Sequence, residues 1–179
     1  MLIRIAPDMF IDERFECVTV NEVRKEIFQT QRFKTKYAWR KNYKNKIIPV
    51  INIINTGNDF TLIYDSINQL IDACIINKKT ARTFGLSSMD KRIAAYTIAN
   101  KLQISSDDKD LIVFLEQEFD IKNIGPLAIV NDWIKKGLIA LDDNLQNIIE
   151  DWKMNDEPPQ PNLEKENFEK LTGFKYLGF

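Results

Sequence analysis

Three aspartates, Asp107, Asp108 and Asp110, crowd the stretch ISSDDKDL at residues 104–111, and Asp90 closes SSMD at 87–90 upstream. Clustered carboxylates suit a hard divalent cation, because magnesium and manganese take oxygen ligands and keep water in the rest of their shells. A metal held this way activates water and stabilises charge developing on a phosphoryl group. The chain has no histidine, which removes Ser-His and Cys-His nucleophilic catalysis, imidazole bases and mixed Cys/His zinc sites. Cys17 and Cys74 lie 57 residues apart without Cys-x-x-Cys spacing and read as buried, reduced filler. Any resident metal is therefore expected to be held by oxygen.

Helix capping accounts for the same residues without a metal. SSMD and SSDD, at 87–90 and 105–108, both fit the Ser-x-x-acid start of a helix, with a hydroxyl accepting from a backbone N–H and a carboxylate facing the positive helix end. Taken as a pair they suggest more. Asp108 follows an apolar run, LQIS at 102–105, and Asp90 opens the helix that feeds it, so both carboxylates are expected at one edge of a sheet. Asp107 is a neighbour able to assist, and Asp110 decorates the first helical turn.

The elements expected to carry them follow from periodicity. MLIRIA at 1–6, CVTV at 17–20 and KIIPVINII at 46–54 read as extended, the last broken by its proline. Asn21 caps a helix through EVRKEIFQTQ, and Leu62, Ile63, Ile67, Leu70, Ile71, Cys74 and Ile75 recur at three and four residues across a second. Ser87 caps a third, and Leu111, Phe114, Leu115 and Phe119 form the inner face of a fourth. IKNIGPLAIV at 121–130 reads as a returning strand, and a short helix then ends at Gly137. Helices alternating with short apolar strands imply an α/β domain with a mostly parallel sheet, whose sites lie at the carboxyl ends of the strands.

Residues 86–130 resemble the C-terminal half of PIN-domain proteins. The pattern is an aspartate (Asp90) opening an alanine-rich helix (Ala94, Ala95, Ala99), a short strand, and Ser106-Asp107-Asp108 in the place of Thr/Ser-x-Asp. VTVNEVRKEI similarly resembles the family's acidic helix, with Glu26 in the acidic place. At the N-terminus a strict alignment sets Ala6 where the leading aspartate belongs; Asp8 is the nearest carboxylate and Asp12 the next.

The resemblance implies a three-layer sandwich over residues 1–145, a central, mostly parallel sheet flanked by helices, followed by a linker and docking segment at 146–179. It also implies a magnesium- or manganese-dependent endoribonuclease. Asp8, Glu26, Asp90 and Asp108 would be its catalytic cluster, Asp8, Asp90 and Asp108 the metal ligands, and Ser106 and Asp107 the assisting groups. Many small bacterial members are toxins, which adds an antitoxin protein and a homodimer to RNA as expected partners. The alternative is a catalytically degenerate PIN-like domain that binds nucleic acid or protein.

Residues 27–58 carry seven Lys or Arg and no acid. Within RFKTKYAWRKNYKNK at 32–46, Arg32, Lys34, Lys36, Arg40, Lys41 and Lys44 alternate with aromatics, Trp39 among them. Such a run neutralises phosphates and offers rings to unpaired bases, or is a solvated face whose aromatics pack inward. After the polar linker NDEPPQPN, residues Leu163, Phe168, Leu171 and Phe174 are expected to dock on the domain or on a partner. The longest apolar run, IIPVINII, is too short to span a bilayer and no export leader is evident. A cytoplasmic protein without membrane attachment is the expectation.

Overall fold

A computed structural model describes residues 1–29, 37–49, 57–154 and 159–178. Its helices are α1 (Leu2–Ile5), α2 (Asn21–Gln29), α3 (Gly57–Asp72), α4 (Ser88–Ala99), α5 (Lys109–Phe119), α6 (Pro126–Lys135), α7 (Asp143–Met154) and α8 (Asn162–Thr172). Short 3-10 turns cover Glu13–Phe15 and Ala38–Tyr43, and a hairpin pairs β1 (Ile76–Asn77) with β2 (Arg82–Thr83). The chain divides into two units, Met1–Val50 with Gly125–Phe179, and Ile51–Ile124.

The expected three-layer sandwich is not the fold. Helix makes up 58% of the described residues and strand 4%, too little strand to form a central parallel sheet. The misread segments show why. Ile3, Ala6 and Met9 are the buried residues at the start of the chain, a three-residue repeat that suits a helix and turns, not a strand of period two. In IKNIGPLAIV, Gly125 is an extended N-cap and Pro126 occupies the first helical turn, where its missing N–H costs nothing and its fixed φ fits. The apolar residues Leu127, Val130 and Trp133 thus become one buried helix face. From KIIPVINII, residues 47–49 are irregular and 50–54 lie outside the described residues. Among the described residues, Ile104 and Asn123, on either side of α5, form a parallel bridge.

In the first unit, α1, α7, α6 and α8 assemble around two apolar clusters. Ile3, Ala6, Met9, Phe15, Ile47 and Trp133 form one, with the Phe15 and Trp133 rings edge to face at 5.1 Å. Leu127, Val130, Leu145, Ile148, Ile149, Trp152, Phe168 and Tyr176 form the other. The C-terminal segment docks within its own unit. Phe168 is 1% exposed, whereas Leu163 is 64% exposed, so of the apolar residues singled out from sequence Phe168 makes the deep contact and Phe174 packs beside it. Gln160 is buried and its Oε1 accepts the Leu127 N–H at 3.2 Å, satisfying a donor at the start of α6. Buried Asn131 donates to the Glu164 carbonyl at 2.9 Å and to Oε2 at 2.8 Å.

In the second unit α3 packs along α4, and Ile67, Ala94 and Ala95 are completely buried. Lys91 reaches Asn68 at 3.0 Å between these helices. Phe114 of α5 is also completely buried and meets Phe84 edge to face at 5.4 Å.

Phe168→Ala is expected to cost about 3–5 kcal/mol, read as a lowered urea midpoint. A loss under about 1 kcal/mol would mean that the C-terminal segment is peripheral to the first unit.

Candidate functional site

Asp90 and Asp108, both in the second unit, are helix caps. Ser87 is the N-cap of α4: its hydroxyl accepts the Asp90 N–H at 3.2 Å, while Asp90 Oδ2 accepts the Ser87 N–H at 2.9 Å and the Ser87 hydroxyl at 2.6 Å. This reciprocal pair is a capping box. Asp108 is itself the N-cap of α5, with Oδ1 accepting the Leu111 N–H at 2.8 Å. The Ser106 hydroxyl accepts the Asp108 N–H at 3.1 Å, and the Ser106 N–H donates to Asn123 Oδ1 at 2.9 Å. These bonds hold the turn after Ile104 against the chain that returns at Asn123. Asp107 is exposed.

Asp110 does more than decorate a helical turn. Its Oδ1 accepts from Asn77 Nδ2 at 3.2 Å and its Oδ2 from the Gly85 N–H at 3.0 Å, so one carboxylate ties α5 to the hairpin and to the loop before α4. A Cβ on Gly85 would stand 3.2 Å from Asp110 Oδ2, close enough to push that carboxylate by a few tenths of an ångström. Asn77, 1% exposed, turns its Oδ1 to the N–H groups of Lys79 and Thr80 at 2.9 and 3.2 Å. The partners of Asp110 lie 33 and 25 residues away in sequence, so no local motif announced them.

The remaining candidate acids belong to the first unit. Asp8 is exposed and paired with Lys46 at 2.6 Å, and Glu26 is exposed on α2. Asp12 caps a 3-10 turn and is gripped by the Arg14 guanidinium at 2.6 Å; the hydrogen bonds from Arg14 hold its carboxyl below the usual range. Among the described residues no three Cys, Asp or Glu side chains converge to hold a cation. In the second unit the capping bonds also occupy an oxygen of each of Asp90 and Asp108.

The basic segment is anchored from within. Arg32, Lys34 and Lys36 lie outside the described residues. Trp39 is half-buried, edge to face with Tyr37 at 5.9 Å and with Tyr43 at 5.8 Å, and the Arg4 guanidinium lies 5.4 Å from its ring centre. Arg40 is 4% exposed, engaged within the protein, and burial lowers its pKa. Arg24 of α2 donates to the Ile47 carbonyl at 3.0 Å. Lys41 and Lys44, by contrast, are exposed and make no ion pair among the described residues.

Sequence reasoning passed over the hairpin tip, NKKTARTF at 77–84. Thr80, Arg82, Thr83 and Asp110 line an open cavity of about 350 Å³ there. Arg82 and Lys78 are exposed and make no ion pair among the described residues, whereas Lys79 is taken by Glu116 at 2.7 Å. The signal available in the sequence was three cations in five residues, overshadowed by the longer basic run upstream.

The site and fold define a helical protein of two units with basic surface elements and capping carboxylates. No family model, curated protein or solved structure matches the chain. Among the described residues no helix is long and apolar enough to cross a membrane.

The cysteines also differ from expectation, since Cys74 is exposed and only Cys17 is half-buried. Burial pushes the Cys17 thiol up to about 11. Because the thiolate is the nucleophile, iodoacetamide near neutral pH is expected to label Cys74 and spare Cys17 in the folded protein. Labelling of Cys17, followed by mass spectrometry, should rise as the pH approaches 11. Equal labelling of both near neutrality would contradict the burial. For the caps, Asp108→Ala should cost about 1 kcal/mol of stability in urea denaturation, and Asp108→Asn only a few tenths, because asparagine caps as well as aspartate. An equally large loss in both would show that the charge of Asp108, not its capping bond, stabilises α5.

Proposed function

We propose that the protein binds RNA through the phosphate backbone, with Lys41 and Lys44 as contacts. The carrying observation is that these two lysines are exposed, without ion pairs among the described residues, on a segment held by Trp39, Tyr43, buried Arg40 and the Arg24 bond to Ile47. A lysine already paired, as Lys46 is with Asp8, must give up its partner before it meets a phosphate. An unpaired one releases only water and counterions from the strand. The half-buried rings of Trp39 and Tyr43 support the backbone of the segment, so affinity comes from charge and carries little sequence preference. Arg32, Lys34 and Lys36 extend the same run in the sequence and add to the charge available to the same ligand.

Endonucleolytic cleavage and the toxin role, which rest on the family resemblance, draw no support from the capping geometry of Asp90 and Asp108. Binding without cleavage is the reading adopted.

Fluorescence anisotropy with a short labelled single-stranded RNA, repeated over a series of salt concentrations, tests it. Changing Lys41 and Lys44 to glutamine together should flatten the log–log salt slope by about 1.4, roughly 0.7 for each phosphate no longer neutralised on a single strand. An unchanged slope would assign these lysines to ordinary surface. Incubating a mixed RNA with magnesium or manganese supplies the second arm, and intact RNA is expected. Metal-dependent cutting by the wild type that disappears in Asp108→Asn would replace the binding reading with the nuclease.

A further inference from the structure

We infer that the cavity beside the hairpin of the second unit is a second phosphate-contact site for RNA, with Arg82 as its principal cation; this deepens the RNA-binding reading and rests on it. Arg82, Thr80 and Thr83 share the cavity wall. A guanidinium offers a planar fork of donors that matches two phosphate oxygens, and hydroxyls can donate to a third. Arg82 is exposed and without an ion pair among the described residues, so its donors are available to a ligand. Lys78, exposed on the same tip and likewise without an ion pair, supplies charge for a neighbouring phosphate.

The tip is held rigidly enough to present these groups. Asn77 Nδ2 donates to Asp110, the Lys78 N–H donates to Gln117 Oε1 at 2.9 Å, and Gln117 Nε2 donates back to the Ile76 carbonyl at 3.0 Å. Fixing the backbone in advance lowers the ordering cost of binding. Asp110 is the opposing charge on the wall, but both of its oxygens accept bonds from the fold. Water in the open cavity screens what repulsion remains.

An apolar flank points to a nucleotide and not to a bare anion. Ile76 pairs directly across from Thr83, and residues opposite each other in a hairpin share a face. Ile76 is 49% exposed, so a nucleotide whose phosphate meets Thr83 would lay its sugar or base against that side chain, while Arg82, paired with Asn77, reaches the phosphate from the other face of the hairpin. A lipid surface would need a broader apolar rim than this polar tip provides.

The test uses the full chain, the same labelled RNA and the same salt series. Changing Lys78 and Arg82 to glutamine should flatten the slope by about 1.4, separately from the Lys41 and Lys44 pair. Flattening by the Lys41 and Lys44 changes alone overturns this site and leaves the first one standing. Flattening by the Lys78 and Arg82 changes alone supports this site and removes the first. Amide chemical shifts on adding uridine monophosphate or inorganic phosphate give a readout independent of RNA. Shifts at residues 80–83 that are larger for the nucleotide and vanish in Arg82→Gln support the site. Equal shifts with both probes mean an adventitious anion only, and no shifts with no effect on RNA overturn the site. Arg82→Lys, which keeps the charge and loses the fork, should retain the salt slope while weakening binding; a flattened slope in this variant would count against a phosphate contact and for local disruption of the tip.

Discussion

The second unit depends on where the carboxylate of Asp110 sends its two oxygens. One accepts from Asn77 and the other from Gly85, so a single side chain in the first turn of α5 fixes both the hairpin and the approach to α4. A negative charge is favoured at that end of a helix, and it meets donors that would otherwise have to find water. Losing it would leave the amide of Asn77, which is 1% exposed, without the acceptor for its Nδ2. A stranded buried donor costs more than an ordinary hydrogen bond contributes. The geometry of the hairpin tip, including the cations it carries, follows from this joint.

The same reasoning separates the aspartates that look alike in sequence. Asp90 and Asp108 close onto backbone N–H groups within three residues of themselves, and Asp110 reaches across the unit. Each thus has a structural partner that is satisfied without a cation. A metal centre needs several oxygens aimed at one point, whereas each cap engages a single oxygen of its carboxylate with a neighbouring N–H. Acid-rich helix starts are therefore ambiguous in sequence: capping and metal binding select the same residues at the same places, and only the direction of the lone pairs distinguishes them.

Much of the helical content was legible. The three-and-four spacing through Ile67, Leu70 and Ile71, the Ser87 cap with Asp90, and Gly137 as a left-handed helix end all appear where the residues imply them. The sheet was misjudged where short apolar runs carried no decisive period. LIRIA can be read at two or at three, and burial of Ile3, Ala6 and Met9 decides for three. In IKNIGPLAIV the Gly-Pro pair held the information, since Pro126 starts α6 and ends the extended stretch after Asn123. The Asp110 contacts were not legible because they join residues far apart in the chain, and no periodicity encodes a partner 33 positions distant.

Charge was more readable than its use. The composition of residues 32–46 announces a basic element, yet packing sorts its cations into different roles. Arg40 is drawn into the protein, Lys46 pairs with Asp8, and Lys41 and Lys44 are left to solvent. The hairpin repeats the division, with Lys79 held by Glu116 while Lys78 and Arg82 stay open. A polyanion competes poorly for a cation that already has a carboxylate at 2.6 or 2.7 Å, because binding would strand that carboxylate beside a phosphate. The positive charge left for a polyanion is thus set by the cations without acidic neighbours among the described residues, a smaller number than the count of lysines and arginines suggests.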